Sequence, residues 1–295
     1  MGAKINHVMT PRNCGVVPFV RSRRRLFILK TQRGGVKGMP ELSMEHIQAI
    51  LPFIAVGFFA QLIDGALGMA FGVITNTLLV SVMGVPPARA SASVHLVETF
   101  TTAASAISHT LHKNVNWTLF ARLVIPGMIG GITGAYILSN IDAKAARPFV
   151  MAYLACIGVY LLWRAWQMSH NHVHKAAKVV EPLGLIGGFL DAAGGGGWGP
   201  VVTSNLLVQG TEPRQTIGTV NTAEFFLTTV ISLTFIATIG LEAFTVAAVG
   251  LTIGGLLAAP LGAVLAKRIP AKRLMYMVGT ILTATSLFSL YKAIS

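Results

Sequence analysis

The sequence predicts an all-α, polytopic transmembrane bundle of about eight crossings, built from two homologous repeats that each open with a glycine-broken helix. Three observations carry this. Hydrophobic residues make up 53% of the chain and charged residues only 11%, against about 25% charged in an average soluble domain, and the mean hydropathy is +0.67. The apolar residues fall in segments at 47–63, 69–83, 92–111, 118–138 and 148–168, then at 183–190, 198–209, 217–239, 243–266 and 273–294. In both series the first two segments are short and separated by glycine. Segments of about 20 residues can span a bilayer, whereas shorter ones suit half-helices or re-entrant pieces.

Taken in order, residues 1–44 read as a basic disordered tail or a misassigned start. The first 38 residues lack acids and include Arg21-Ser22-Arg23-Arg24-Arg25, and Met39 and Met44 stand just before the first apolar segment. The apolar run Leu26–Leu29 is too short for a signal peptide. The first transmembrane repeat is placed at 45–168 and the second at 183–295. Between them, 169–182 reads as a polar linker whose His170, His172 and His174 have no carboxylate or thiol partner nearby. The two cysteines, Cys14 and Cys156, make neither a metal nor a disulfide pattern.

The repeat is visible residue by residue. Asp64-Gly65-Ala66-Leu67-Gly68-Met69-Ala70-Phe71-Gly72 aligns with Asp191-Ala192-Ala193-Gly194-Gly195-Gly196-Gly197-Trp198-Gly199. Ser93-Val94-His95-Leu96-Val97-Glu98 then aligns with Thr219-Val220-Asn221-Thr222-Ala223-Glu224, and Gly130-Gly131 with Gly254-Gly255. Consecutive glycines cost a helix about 1 kcal/mol each relative to alanine, so each half opens with a helix that runs in, breaks and restarts. A break of this kind gives either one long broken span with parallel repeats or a dipping hairpin with inverted repeats. Interrupted segments at matching positions of two halves point to a transporter's binding site.

Of ten acidic residues, Asp64, Glu98, Asp191 and Glu224 alone fall inside apolar segments, as two repeat-matched pairs. A charged side chain at the bilayer centre costs about 3 kcal/mol on insertion scales, so such groups face the bundle interior and mark a pathway. Asp64 and Asp191 have an alternative role as caps of the broken helices. Helical spacing puts Glu98 on one face with His95, Thr101 and Thr102, and Glu224 with Asn221 and Thr228. Beyond the breaks, Asn76, Ser204 and Asn205 open short helices whose N–H groups are expected to attract an anion. Gly68, Gly195, Gly196 and Gly197 let the backbone approach closely. These residues together form the candidate substrate site, which takes a small anionic substrate within the lipid bilayer.

The excess of basic over acidic residues, +13 net, comes without the aromatic-basic pattern of a nucleic-acid binder. The sequence shows no Walker loop, zinc spacing or nucleophile elbow, so neither a cofactor, a metal nor an enzymatic role is expected. The rival functions are a channel-like facilitator without proton coupling, and a membrane-embedded enzyme or assembly factor using His95 with Glu98. No residue pattern sets an oligomeric state.

The stretch Gly57-Phe58-Phe59-Ala60-Gln61-Leu62-Ile63-Asp64-Gly65-Ala66-Leu67-Gly68-Met69-Ala70-Phe71-Gly72, its glycine-rich echo at 187–200 and the paired segments at 87–94 and 213–220 resemble the sulfite exporter TauE/SafE family. The resemblance covers about 45–294. It implies a multi-pass bacterial inner-membrane permease with duplicated halves, carrying sulfite, a sulfonate or another sulfur-containing anion. One departure is Met69-Ala70 in the first break where the second has Gly196-Gly197.

Overall fold

The computed structural model describes residues 44–67, 69–167, 176–268 and 271–294. The basic segment 1–38, the linker histidines and Gly68 lie outside the described residues. Among those described, every regular element is helical. The first five helices are α1 (Met44–Leu67), α2 (Phe71–Thr77, extended by a π-helical turn Leu78–Val82), α3 (Pro87–Leu111), α4 (Trp117–Asn140) and α5 (Ala143–Gln167). The next five are α6 (Glu181–Gly194), α7 (Ser204–Val208, preceded by a π-helical turn Trp198–Thr203), α8 (Pro213–Ile239), α9 (Thr245–Arg268) and α10 (Ala271–Ile294).

Local chemistry sets the boundaries. Proline opens α3 and α8, where its missing N–H would be unpaired in any case. Asn116 caps α4 by accepting from Leu119 N at 3.1 Å. Gly195 ends α6 in the left-handed region, φ 74°, which a β-carbon disfavours.

The outer surface is apolar. Phe100, Phe149, Trp166 and Phe288 are each more than 60% exposed, a pattern a soluble protein avoids and a lipid-facing one requires. Among the described residues, α4, α5 and most of α8 are long and apolar enough to cross a membrane, and shorter apolar stretches occur in α1, α2 and α9.

Helix packing interleaves the two series. The principal pairs are α1 with α9, α4 with α6, α5 with α10 and α3 with α8. Glycine makes the closest of these possible. A β-carbon at Gly130 would overlap the Leu185 carbonyl, and one at Gly254 the Ile54 carbonyl. These are the small-residue contacts by which helices associate in lipid. The 45–168 and 183–295 segments therefore pack as one unit.

The contacts also give direction. Gly127, Gly130 and Gly134 meet Gly184, Leu185 and Phe189 in ascending order, so α4 and α6 run parallel. Ile50, Ile54 and Gln61 meet Gly250, Gly254 and Gly255 likewise, so α1 and α9 are parallel. In contrast, Thr99 meets Ser232 and Thr102 meets Thr228, so α3 and α8 are antiparallel. Gly158 and Leu162 meet Thr283 and Gly279, so α5 and α10 are antiparallel too.

These directions fix what the glycine breaks do. The Gln209 side chain, just past α7, accepts from Lys178 N and Val179 N at 2.8 and 3.0 Å and donates to Val179 O at 3.1 Å. The end of α7 thus lies beside the start of α6, and the pair returns to the end of the bundle it came from. Because α3 begins at the end where α1 begins, α2 returns in the same sense. The chain does not continue straight through either break, as an eight-crossing bundle would need. A short α7 and a left-handed Gly195 turn it back.

Candidate substrate cavity

The two breaks are held by the same device. Asp64 Oδ1 accepts from Ala70 N at 2.6 Å and Phe71 N at 3.0 Å. Asp191 Oδ1 accepts from Gly197 N at 2.7 Å and Trp198 N at 2.9 Å. Breaking a helix strands backbone donors that have no water to turn to. In both places a carboxylate six and seven residues earlier takes them. The expectation that these N–H groups stand open to an anion is corrected at these four amides.

The tips of the two pairs meet. A β-carbon at Gly196 (φ +142°) would overlap Val73 N and Gly72 C, and one at Gly199 would overlap Met69. Three side chains clamp the second break from elsewhere. Ser91 Oγ donates to Ala192 O at 2.7 Å, Asn76 Nδ2 to Gly194 O at 2.9 Å and Tyr153 Oη to Gly196 O at 2.9 Å.

His95 completes this arrangement. Its Nδ1 lies 2.7 Å from Ser91 O, and its Nε2 lies 3.1 Å from Asp191 Oδ2. A carbonyl only accepts, so Nδ1 carries a hydrogen, and Nε2 is the nitrogen that faces the carboxylate. His95 itself is fully buried.

Above the meeting tips lies a cavity of about 280 Å³, lined by Asp64, Glu98, Asp191 and Glu224 together with Gln61, Asn221, Thr101, Thr102, Ser105 and His109. No Lys or Arg is in its described lining. Glu98 comes from α3 and Glu224 from α8, while the aspartates come from α1 and α6. The cavity thus draws on both series of helices.

Of the residues expected from sequence, Asp64, Glu98, Asp191, Gly196, Gly197, Asn221 and Glu224 line this cavity. The others do not. Asn76 and His95 bond to the second break behind the wall, and Gly195 packs directly on the Asn76 amide. Ser204 Oγ points at Met69 Sδ, 3.8 Å away, and Asn205 Nδ2 donates to its own helix at Val201 O. Sequence reasoning missed Gln61, Ser105, His109 and Tyr153. Extending the Glu98 face by two further turns reaches Ser105 and His109, and one turn back from Asp64 reaches Gln61. Tyr153 gives no local signal, because its partner is 43 residues away.

Comparison with known proteins bears directly on this architecture. The family model described as sulfite exporter TauE/SafE matches residues 53–289. The chain belongs to this family. It is 41% identical over 240 residues to "Probable membrane transporter protein YtnM" of Bacillus subtilis (strain 168), covering 79% of this chain and 80% of that one. A more distant relative, "Probable membrane transporter protein" of Xylella fastidiosa (strain Temecula1 / ATCC 700964), is 24% identical over 129 residues, 41% of this chain and 49% of its own. No solved structure matches the chain. This TauE/SafE protein is accordingly a membrane transporter rather than an enzyme, and its cavity is considered below as a transport site.

Proposed function

We propose that this TauE/SafE protein moves a small sulfur-containing anion of the sulfite or sulfonate class across the inner membrane, and that protons carried on Glu98 and Glu224 accompany it. The observation that carries the reading is the cavity lined by four carboxylates and no described lysine or arginine. Two like charges about 4 Å apart repel by about 4 kcal/mol at an effective dielectric of 20. An anion can enter such a space only once protons have neutralised carboxylates there. Asp64 and Asp191 are each committed to two backbone amides, whereas Glu98 takes one, from Gly72, which leaves Glu98 and Glu224 as the exchangeable pair. Substrate and proton movements are then tied to each other without a lysine or arginine in the site.

The topology belongs to the same proposal. Six helices, α3, α4, α5, α8, α9 and α10, cross the membrane, while α1–α2 and α6–α7 enter from opposite faces and turn back. The two repeats are inverted with respect to each other, an arrangement common among carriers with a central site. Antiparallel α3–α8 and α5–α10 packing supports this.

Purified protein in liposomes loaded with labelled sulfite tests the reading. An imposed pH gradient should drive sulfite movement, and Glu224→Gln should abolish the gradient-driven part while the protein elutes as a folded species. Equal wild-type flux with and without the gradient would sink the coupling. The same carboxylates favour a second reading, in which a small cation is the cargo. Labelled sodium flux that needs no sulfite would support it.

A further inference from the structure

We propose that the His95–Asp191 contact is the latch that closes the cavity toward the face where α3 begins, and that its release opens that face during transport. The proposal rests on the transport reading above, and adds which face is closed and by which residues.

The cavity reaches toward the face where α3 ends and α8 begins. The lining residues there, Ser105, His109, Ile217 and Asn221, are all partly exposed. Towards the opposite face, α3 and α8 close on each other. Thr99 Oγ1 and Ser232 Oγ are 3.3 Å apart, and the His95 and Phe235 rings lie 6.5 Å centroid to centroid. Ser91, His95 and Phe235 are fully buried, and Ser232 is 3% exposed. From this seal two side chains of α3 reach the tip of α6: Ser91 Oγ to Ala192 O and His95 Nε2 to Asp191 Oδ2. For α3 to move away from the tip of α6 on this side, the imidazole must leave the Asp191 carboxylate.

The repeat register shows that the same parts exist at the open mouth in a parted state. Asn221 stands where His95 stands, Asp64 where Asp191 stands, and His109 where Phe235 stands. At the seal these positions are packed together. At the mouth their counterparts line the cavity. Exchanging the packing of the two repeats would close the mouth with Asn221 on Asp64 and open the seal. An asparagine amide is shorter than an imidazole and reaches less far toward a carboxylate across the same gap. The form described here, sealed through His95, is therefore the favoured one, and His95 acts as a positioning residue for the transport cycle.

Single-cysteine labelling tests this in a background with Cys14→Ser and Cys156→Ser. Ser232→Cys reports the seal and Ser105→Cys the mouth, probed in vesicles with a membrane-impermeant thiol reagent. With His95 intact, Ser105→Cys should label and Ser232→Cys should not. His95→Asn should raise Ser232→Cys labelling by about tenfold or more as the population shifts, and His95→Gln, whose longer amide reaches further toward Asp191, should return part of the protection. Unchanged Ser232→Cys labelling in folded His95→Asn protein overturns the latch. Should His95→Asn fail to fold, Asn221→His provides the reverse test by building a latch at the mouth. Slowed Ser105→Cys labelling supports the proposal and unchanged labelling overturns it. Sulfite flux by the wild type is measured alongside. Its absence would remove the transport reading, whereas flux with an insensitive seal would remove only the latch.

Discussion

Asp191 and Asp64 hold equivalent positions but are not equally burdened. Both take two backbone N–H groups, and Asp191 also holds His95. A buried polar group left without a partner costs about 1–3 kcal/mol, so Asp191→Ala should destabilise more than Asp64→Ala by roughly that amount. Thermal unfolding of the two variants in detergent measures the difference. An Asp64→Ala protein that melts at or below the Asp191→Ala protein would contradict it. The four intramembrane carboxylates were legible in the sequence because acids are rare in apolar segments. Their division of labour was not. A carboxylate that caps six and seven residues ahead has no fixed local signature, unlike a capping box, because the intervening turn decides whether the amides come within reach.

At the scale of elements, neighbouring glycines have opposite tolerances. A β-carbon at Gly254 would overlap the Ile54 carbonyl, whereas at Gly255 its nearest neighbours are side-chain atoms of Gln61, 3.9 Å away. Gly254→Ala should therefore part α1 from α9, costing about 1–3 kcal/mol as overpacking does. Gly255→Ala should be neutral or stabilising by up to about 1 kcal/mol, because alanine is the better helix former. Melting temperatures of the two variants give the comparison, and equal losses would show that the α1–α9 approach is misplaced. Gly196→Ala faces both a positive φ and the Val73 backbone, so it should cost folded protein rather than substrate affinity alone. The glycine pairs were readable from sequence as helix contacts, but which neighbour each glycine meets depends on helix rotation, which only the partner fixes. The return of α7 to α6 was hidden for a similar reason. Its clip, Gln209 to Val179, joins residues 30 apart across α6, the break and α7.

For the whole molecule, the decisive question is the orientation of the repeats. The connections before α3 and before α8 correspond in the proposed duplication. Parallel repeats would put them on one side of the membrane, and inverted repeats put them on opposite sides. Cysteines placed at Val85 and Thr211 should therefore label from opposite sides of sealed, oriented vesicles. Labelling of both from the same side would restore an eight-crossing bundle. The glycine breaks were legible in the sequence, and the proposed duplication is read from its matched residues. The sequence left the orientation open because lysine and arginine occur at both ends of the helices, as with Arg89 and Lys144 at one and Lys113 and Lys178 at the other.

The lopsided placement of the cavity has an electrical consequence. Where water fills the space from one face down to the meeting tips, it carries that face's potential with it. The transmembrane voltage then falls almost wholly across the thin sealed layer around Phe235 and His95. Under the proposed coupling, protons reaching Glu98 and Glu224 from the open face would do little work against the field. The conformational exchange that carries charge past the seal bears nearly all of it, at about 2.3 kcal/mol per elementary charge per 100 mV. Membrane voltage should thus bias the turning step far more than it biases substrate binding, and the direction of net flow would follow the cell's polarisation as much as its pH.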